Sequence, residues 1–366
     1  AFLTPGEAET GYWVKRIVDG SYVIGVGNGG GGIIYSSADP FVDDDVLFAL
    51  NHMSPTGGRI LFTPGDFYLN NLTITKERLD FAGSGRATRF FAAQPLNITG
   101  YPTVEYATSL HDFWFQGTLK LNNSIRAWHY NLYFKDGSPA LQVSGNSIWF
   151  SNIVFDYAAP AAIVNGHAIH FDGGEMYGGG PIIWQAGQGG SIENFVIEGA
   201  GTYGLKIMGL TNTMLVQNNY FEENNTTRQA GIADIFIENG TSGITLRDNF
   251  FTGEWVDWAI DSQGAYTIIS GGRSYNRPVR IGNYGGMIEG QLAIFPKPSI
   301  SADTISIAPT SFEGAGVIVG GWVKPPAWNR DPDTTGWGLY DAGRIWGRYD
   351  LGQIRWWDGT QIKVVQ

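Results

Sequence analysis

Several glutamates are spaced so that they could perform acid–base chemistry on one substrate. Glu198, Glu223 and Glu254 fall at or beside equivalent positions of an internal repeat. If each repeat is one coil of a stacked structure, acids on adjacent coils lie about 5 Å apart and acids on alternate coils about 10 Å apart. These separations bracket those of retaining and inverting glycosidases, and crowding raises the pKa of one carboxyl group. We therefore predict these three residues as proton donor, base or nucleophile.

Two stretches in which the repeat lengthens, 219–232 and 249–258, contain side chains suited to holding a sugar. Long loops on a rigid scaffold carry function more often than the scaffold does. The predicted substrate-binding residues in these loops are Trp255, Trp258, Asp257, Arg228 and Glu222. The alternative interpretation is that the acids are solvated loop charges and the tryptophans are core or subunit contacts.

Two histidines offer a different chemistry. His167 and His170 are three residues apart, so in an extended strand their imidazoles face opposite sides, which disfavours a shared metal. One of them, near Tyr177, would be the base of a lyase-like mechanism. Hydrolysis is favoured over this alternative, and no metal or other cofactor is predicted.

The elements that position these residues follow from the repeat itself. From about residue 110 to about 273, short runs of alternating apolar residues end at Gly, Asn or Ser, which is strand and turn chemistry. A repeat built only from strands buries its apolar face by stacking on its neighbours, which predicts a parallel β-helix. The recurring Asn predicts a ladder of amides that bond backbone groups of adjacent coils. Copies begin at intervals of 19 to 30 residues, at Asp112, Asn131, Asn152, Gly173, Asn194, Asn219 and Asn249.

Composition agrees with this fold and excludes some functions. The 366 residues include 52 Gly, as expected where every coil needs tight corners, and only 16% are charged. The formal net charge of −11 disfavours binding to nucleic acid or to an anionic membrane, because neutralising phosphates supplies most of such affinity. The absence of Cys rules out disulfides and thiol catalysis. A polysaccharide is therefore the expected partner.

The N-terminal third carries a recognisable motif. Asp43-Asp-Asp precedes an apolar run that ends near Pro55, as expected of a short helix with acids at its N-terminus. It is followed by Gly57-Gly-Arg-Ile-Leu-Phe-Thr-Pro-Gly-Asp-Phe-Tyr and by Leu79-Asp-Phe-Ala-Gly-Ser-Gly. This order resembles the first coil of the pectate-lyase-like right-handed β-helix superfamily. The resemblance covers roughly residues 43 to 275 and implies a single-stranded right-handed parallel β-helix with an N-terminal capping helix.

The resemblance is less specific about reaction than about fold. Phage tailspikes and secreted polysaccharide lyases, hydrolases and epimerases share this signature, and function depends on the site rather than on the fold. The acidic calcium cluster of pectate lyases has no convincing match here. The N-T-D, D-D, H-G and R-I-K series of polygalacturonases is absent. No catalytic motif can therefore be carried over to this sequence.

The chain is predicted to comprise three parts. Residues 1–42 form an entry segment, 43–290 the β-helix, and 291–366 a small β-rich C-terminal module. The module ends in a Trp357-Asp-Gly element that resembles one near the ends of phage tail-fibre proteins. Its many tryptophans would cover the open end of the β-helix or join subunits.

The leading hypothesis is a virion tailspike or fibre protein that binds and depolymerises a cell-surface polysaccharide. The tailspike resemblance implies a homotrimer and a virion or extracellular location. A secreted microbial polysaccharide lyase or glycoside hydrolase is the first alternative. A non-enzymatic adhesive or structural virion protein is the second, and its acids would tolerate replacement.

Overall fold

The computed structural model describes the chain almost continuously from residue 40 to residue 275. The described ranges there are 40–54, 57–76, 78–100 and 108–275. Separate segments between residues 11 and 37 and between residues 277 and 364 are also described. The chain divides into two compact units, Ala1–Thr310 and Ser311–Gln366.

The first unit is a right-handed parallel β-helix of about 9 turns, which confirms the predicted fold. Each coil contributes one strand to each of three parallel sheets, which we call A, B and C in the order in which the chain passes through them from Gly58 onwards. Some strands bend at the corners and continue from one sheet into the next. Apolar side chains of all three sheets point inward and form one continuous core.

Sheet A begins at the N-terminus of the unit and extends to Ser306. Its strands pair in parallel register from coil to coil. They are Gly11–Arg16, Gly58–Phe62, Leu79–Ala82, the first parts of Ser109–Gln116, Trp128–Lys135 and Ser191–Glu198, the middle parts of Leu141–Asp156 and Ala162–Tyr177, and Leu215–Gln217, Thr245–Arg247, Ile268–Ser270, Gly286–Glu289 and Ile305–Ser306.

Sheet B carries Glu198, and the other two residues predicted to be catalytic, Glu223 and Glu254, follow closely after its strands. Its strands also pair in parallel. They are Gly65–Leu69, Thr88–Ala92, the last parts of Ser109–Gln116, Trp128–Lys135, Leu141–Asp156, Ala162–Tyr177 and Ser191–Glu198, and Tyr220–Glu222, Phe250–Thr252, Arg273–Tyr275 and Ala293–Phe295.

Sheet C completes each coil. Its strands are Thr73–Ile74, Leu96–Thr99, Leu119–Ile125, the first parts of Leu141–Asp156 and Ala162–Tyr177, and Ile182–Gln188, Leu205–Asn212, Ala233–Ile237, Trp258–Ser262, Val279–Ile281 and Ile300–Ala302. The long stretches that join sheet B to sheet C, at 223–232 and 253–257, border the predicted site.

A capping helix, Asp43–His52, precedes the first complete coil, as predicted. Three acids occupy its first turn, where they oppose the positive end of the helix dipole. Asp43 also accepts hydrogen bonds from the backbone N–H groups of Asn70 and Asn71, which ties the helix to the coil. Strands Tyr22–Val26 and Ile33–Ser37 pair antiparallel beside it. No helix in the described part of the chain is long and apolar enough to cross a bilayer.

In eight successive coils, from Asp112 to Gly271, a residue in the left-handed conformation turns the chain from sheet A to sheet B. Asn, Asp and Gly tolerate this conformation best. The corner residues are Asp112, Asn131, Asn152, Gly173, Asn194, Asn218, Asp248 and Gly271. The first five are the predicted repeat positions. In the next two coils the corner lies one residue earlier than predicted, at Asn218 and Asp248.

The shift occurs because Asn219 and Asn249 point into the core. The Nδ2 group of Asn219 donates to the Ile192 carbonyl at 2.9 Å, and that of Asn249 donates to the Val216 carbonyl at 2.9 Å. Asn249 Oδ1 also accepts from the backbone N–H of Asn219 at 3.1 Å. The predicted amide–backbone ladder is thus found at Asn219 and Asn249, inside the β-helix, whereas the amides of Asn131, Asn152 and Asn194 donate to side chains of the preceding coil.

One core position is occupied by a histidine. His129 is completely buried and stacks on Phe150, with ring centroids 5.0 Å apart. Its Nδ1 accepts from the Leu110 backbone N–H at 3.2 Å, while its Nε2 has no hydrogen-bond partner among the described residues. Burial lowers the pKa of His129 to about 3, because the charged imidazolium would be desolvated there.

His129 should make stability depend on pH. The unfolded chain takes up a proton near pH 6.5 and the folded chain only near pH 3, so the free energy of unfolding falls as pH falls between these values. We predict a loss of about 2 kcal/mol between pH 7 and pH 5 from this residue. In His129→Asn, the amide oxygen replaces the Nδ1 acceptor without titrating, so this component of the pH dependence should disappear. Urea denaturation at both pH values tests this; equal pH slopes for the two proteins would contradict it.

The second unit contains a four-stranded sheet. Strand Ala327–Trp328 lies parallel to Ile345–Arg348, which is followed by the antiparallel strands Gln353–Trp357 and Ile362–Val364. Trp346 is buried, and its indole N–H donates to Asp331 at 3.1 Å. Tryptophan therefore supplies part of the core of this unit. The predicted boundaries at residues 42 and 290, and the role in covering the β-helix or joining subunits, stay predictions.

Candidate functional site

The outward face of sheet B aligns polar residues of successive coils. Asp156, Tyr177, Glu198 and Glu222 occupy one register position on four adjacent strands, and Thr252 continues the row. Neighbours in such a row are about 4.8 Å apart at the backbone. The sequence placed Glu223 in this row, but the corner shift at Asn218 puts Glu222 there instead.

Glu198 and Glu222 form the central pair of the row. The pKa of Glu198 is raised, first by burial and then by the negative charges of Glu222, Glu175 and Glu223. Tyr220 donates its phenol hydrogen bond to Glu222 at 2.9 Å. Burial and this carboxylate raise the pKa of Tyr220 to about 12, which keeps the phenol protonated. The arrangement supplies one carboxyl group suited to donating a proton beside another that is held in place by a neutral donor.

A pocket of about 280 Å³ adjoins this pair on the side facing later coils. Four predicted site residues line it together, namely Glu222, Glu223, Glu254 and Trp255. Thr252, Gly253 and Tyr275 complete the lining. The structure therefore brings together predicted catalytic and substrate-binding residues from the two lengthened loops, with Glu198 one strand away from Glu222.

Glu223 has a strained backbone. Its φ is +47°, and the residues at the same corner of the adjacent coils are Gly199 and Gly253, both with positive φ. A side chain in this conformation costs about 1–2 kcal/mol, and such strain often marks a functional position. The position of a glutamate where neighbouring coils have glycine favours a role for its carboxylate.

We predict that Glu223→Gly separates stability from function. Gly removes the strain but increases the entropy of the unfolded chain, so the free energy of unfolding should be unchanged or higher by up to about 1 kcal/mol. Binding or cleavage of the polysaccharide should nevertheless decrease. Glu223→Ala is the matched control, because it removes the carboxylate and keeps the strain. Urea midpoints and activity of both variants test this, and a clear destabilisation by Gly would contradict it.

The loop after Glu223 is tied to the loop that carries Trp255. Asn225 is buried, and its Nδ2 donates to the carbonyl groups of Trp255 at 2.7 Å and Gln229 at 2.8 Å. The guanidinium of Arg228 lies 5.1 Å from the centre of the Trp255 ring. Arg228 and Trp255 are thus in contact, as a shared binding surface requires.

Asp257 and Trp258 lie outside this pocket. Asp257 accepts a hydrogen bond from the Gly231 backbone N–H at 2.5 Å, which holds the two loops together. Trp258 begins a strand of sheet C, and the guanidinium of Arg280 covers its ring at 4.9 Å. Trp258 therefore does not line the pocket with Trp255, and its role in sugar binding stays a prediction.

The residues of the lyase alternative do not converge. His170 lies on sheet A, where its ring stacks on Trp149 and its Nδ1 is 2.9 Å from the Ser191 hydroxyl. Tyr177 lies on sheet B, beyond the corner at Gly173. His167 is on the sheet C part of the same strand. The geometry thus gives no described histidine a place beside Tyr177.

A buried ion pair lies beneath the pocket. Asp234 and Arg277 are 0% and 2% exposed, and Arg277 Nη1 donates to Asp234 Oδ2 at 2.6 Å. Asn224, the residue after Glu223, donates to Asp234 Oδ1 at 2.8 Å and to the Ile197 carbonyl at 3.2 Å. Burial raises the pKa of Asp234 although Arg277 opposes this. The network fixes the backbone immediately after Glu222 and Glu223.

Aromatic residues flank the acidic row on both sides along sheet B. Phe91 stacks on Tyr68 and contacts Trp114, with ring centroids 5.1 Å apart in both pairs. On the other side, Phe250 contacts Tyr220 at 5.2 Å and Tyr275 at 5.4 Å. These aromatic rows were not predicted from the sequence. To predict them, the exact register between strands about 20 to 30 residues apart would be needed, and the irregular repeat indicates that register only approximately.

Comparisons with known proteins agree with the fold. No family model matches the chain, and no curated protein matches it in sequence. The surface adhesin PfbA of Streptococcus pneumoniae is similar in structure over 89% of this chain and 96% of its own, with 12% identity and a TM-score of 0.52.

Two solved structures with lower scores are also similar. The enzymatically active domain of tailspike protein 2 of bacteriophage CBA120 covers 73% of this chain and 48% of its own, at 10% identity and a TM-score of 0.47. The catalytic unit of the GH87 α-1,3-glucanase of Streptomyces thermodiastaticus covers 83% and 71%, at 12% identity and a TM-score of 0.46. The similarity to PfbA, at 12% identity, is one of fold alone.

Proposed function

We propose that this chain binds a polysaccharide along the outward face of sheet B and hydrolyses it at Glu198 and Glu222. The observation that carries this proposal is the register of the two glutamates on adjacent strands. Aromatic rows on both sides offer apolar surface to sugar rings, and the pocket beside the pair supplies further carboxylates. The sugar chain would run across several coils.

The spacing of the pair favours hydrolysis with retention of configuration. Adjacent strands hold the backbones of the two residues about 4.8 Å apart, a spacing that allows their carboxyl groups to adopt the roughly 5–5.5 Å separation of retaining glycosidases. Glu198, with its raised pKa, donates a proton to the glycosidic oxygen while Glu222 attacks the anomeric carbon. Glu198 then removes a proton from water, which displaces Glu222 and releases the sugar. In this role Tyr220 orients the Glu222 carboxylate.

A panel of bacterial capsular, O-antigen and exopolysaccharides tests the reaction. New reducing ends without the absorbance of unsaturated uronates would support hydrolysis, and NMR of the first product would show whether configuration is retained. New absorbance would instead support a lyase. If a polysaccharide binds but gives neither new reducing ends nor new absorbance, the result would support the adhesive alternative.

A virion tailspike or fibre is the biological setting we propose, with a homotrimeric assembly and a virion or extracellular location. Trp128 and Trp149 support assembly, because they are 60% and 38% exposed and lie side by side on sheet A, 6.3 Å apart. Adjacent exposed apolar side chains often mark an interaction surface. Light scattering tests this: a wild-type trimer that dissociates in Trp128→Lys would support the assembly, and a monomeric wild type would favour a secreted enzyme.

A further inference from the structure

A second pocket lies on sheet B, towards the N-terminal coils. It has a volume of about 290 Å³, and its lining includes Arg86, Tyr133, Asp112, Asn131 and Asn152. It occupies the corner at which the chain enters sheet B, whereas the glutamate pocket lies at the opposite edge of that sheet. The two pockets are therefore separate places on the same proposed binding face.

Arg86 brings a guanidinium without an ion-pair partner among the described residues to this pocket. The carboxylate of Asp156, which interacts with it electrostatically, is already bonded to Lys135 and Tyr133. The Arg86 guanidinium lies 4.4 Å from the centre of the Tyr133 ring, and within the described part of the chain no carboxylate forms an ion pair with it. Asp112, in the same lining, is already bonded to His111 at 2.7 Å and to Asn131 at 2.8 Å. A guanidinium stacked on a ring keeps its N–H groups free in the plane, where a carboxylate is bound by two parallel hydrogen bonds.

Distance along the β-helix links this pocket to the cleavage site. Tyr133, Val154, Glu175 and Val196 follow one another in register, so the Tyr133 strand is three steps from the strand of Glu198. Three steps correspond to about 14 Å along the axis. A short oligosaccharide spans this distance. One sugar can therefore contact Arg86 while another lies at the glutamates.

The charges at the two places select different sugars. Glutamates crowd the cleavage site and repel a substrate carboxylate there. Arg86 attracts one. We propose, on the basis of the proposed function, that the substrate is a heteropolysaccharide with an acidic sugar among neutral ones. Its carboxylate binds Arg86, and a neutral sugar is placed at Glu198 and Glu222. A polymer with a carboxylate on every residue fits poorly.

The test compares Arg86→Gln with a matched control on the same face. Arg89 pairs with Asp66 at 2.6 Å, so its charge is already compensated, and Arg89→Gln should change binding little. The probes are gellan and xanthan, which carry isolated acidic sugars, each beside its carboxyl-reduced form. The wild type should bind at least one acidic form about 10-fold or more tightly than its reduced form. Arg86→Gln should lose that preference and Arg89→Gln should keep it.

The outcomes separate this inference from the proposed function. Equal binding of acidic and reduced forms, or a preference that survives Arg86→Gln, would overturn the acidic-sugar subsite while leaving hydrolysis at Glu198 intact. Failure to bind any form would overturn the subsite, and failure to bind or cleave any polysaccharide of the wider panel would overturn the proposed function as well. Circular dichroism shows whether the variants are folded.

Discussion

Replacing Glu198 by Gln should lower kcat on the cleaved polysaccharide by about 10²–10⁴-fold, the usual contribution of a general acid. Glu198 has the raised pKa, and its row neighbour Glu222 lies on the adjacent strand. The substitution is nearly isosteric and removes the ability to donate a proton in the first step and to accept one from water in the second. KM should change little, because binding depends mainly on other coils. Initial rates of reducing-end release measure both constants.

Glu193→Gln is the matched control for this prediction. Glu193 lies on the same strand as Glu198 but on sheet A, so it is outside the proposed binding face. Its replacement should leave kcat within about 2-fold of wild type, since it does not contact the reacting groups. Equal losses in the two variants would indicate a general structural effect and contradict the assignment of Glu198.

The pH dependence of activity in Glu222→Gln independently tests whether the charge of Glu222 affects Glu198. The acid form of Glu198 is required, so activity falls as pH rises through its pKa. Because the charge of Glu222 raises that pKa, removing it should move the alkaline limb of the residual activity to lower pH. An unchanged limb would show that the two carboxylates do not interact.

The fold could be predicted from sequence because its signals are repeated many times. Each coil presents apolar alternation and a corner residue, and the segment from Gly57 to Gly85 adds a specific order of strands and turns. The register of the last coils could not be predicted. Both Asn218-Asn219 and Asp248-Asn249 offer two residues suited to the left-handed corner, and only the structure shows that the first turns and the second points inward.

That ambiguity determined what was missed at the site. Because the predicted corner was one residue too late, the prediction assigned Glu223 to the position in the outward row that Glu222 occupies. The strained backbone of Glu223 was therefore not expected. Trp258 and Trp255 were both predicted to bind sugar because they share one lengthened loop, yet Trp255 lies in the connection after sheet B and Trp258 begins a strand of sheet C. Arg86 and Tyr133 are 47 residues apart in sequence and meet only because coils stack.

The glutamate pocket depends on a buried charge network, so substitutions in that network should lower both the stability of the protein and its activity. Asn224 follows Glu223, and its amide bridges Asp234 and the carbonyl of Ile197. Asn224 Oδ1 also accepts from the Ala200 backbone N–H at 3.1 Å. Loss of Asp234 would therefore remove one of the three hydrogen bonds by which Asn224 holds the chain segment that carries Glu222 and Glu223.

We predict that Asp234→Asn lowers the free energy of unfolding by about 3–5 kcal/mol, the cost of leaving one charge of a buried pair without its partner. Arg277 is 2% exposed and cannot lose its proton, so its charge would stay in the core. Arg277→Met should cost less, because burial already raises the pKa of Asp234 and the carboxyl group can become neutral. For the same reason the loss in Arg277→Met should be smaller at pH 5 than at pH 8. Urea denaturation of each variant at both pH values measures these differences.

The double variant Asp234→Asn/Arg277→Met decides whether the pair or the packing matters. If the uncompensated guanidinium causes the loss, removing it should restore part of the stability that Asp234→Asn alone forfeits, because neutral buried groups avoid the desolvation of a charge. Additive losses would show that both side chains act only through packing. Hydrolysis should recover together with stability only if the chain after Glu223 regains its position. The activity of the double variant therefore shows whether Asn224 can hold that segment without a carboxylate at residue 234.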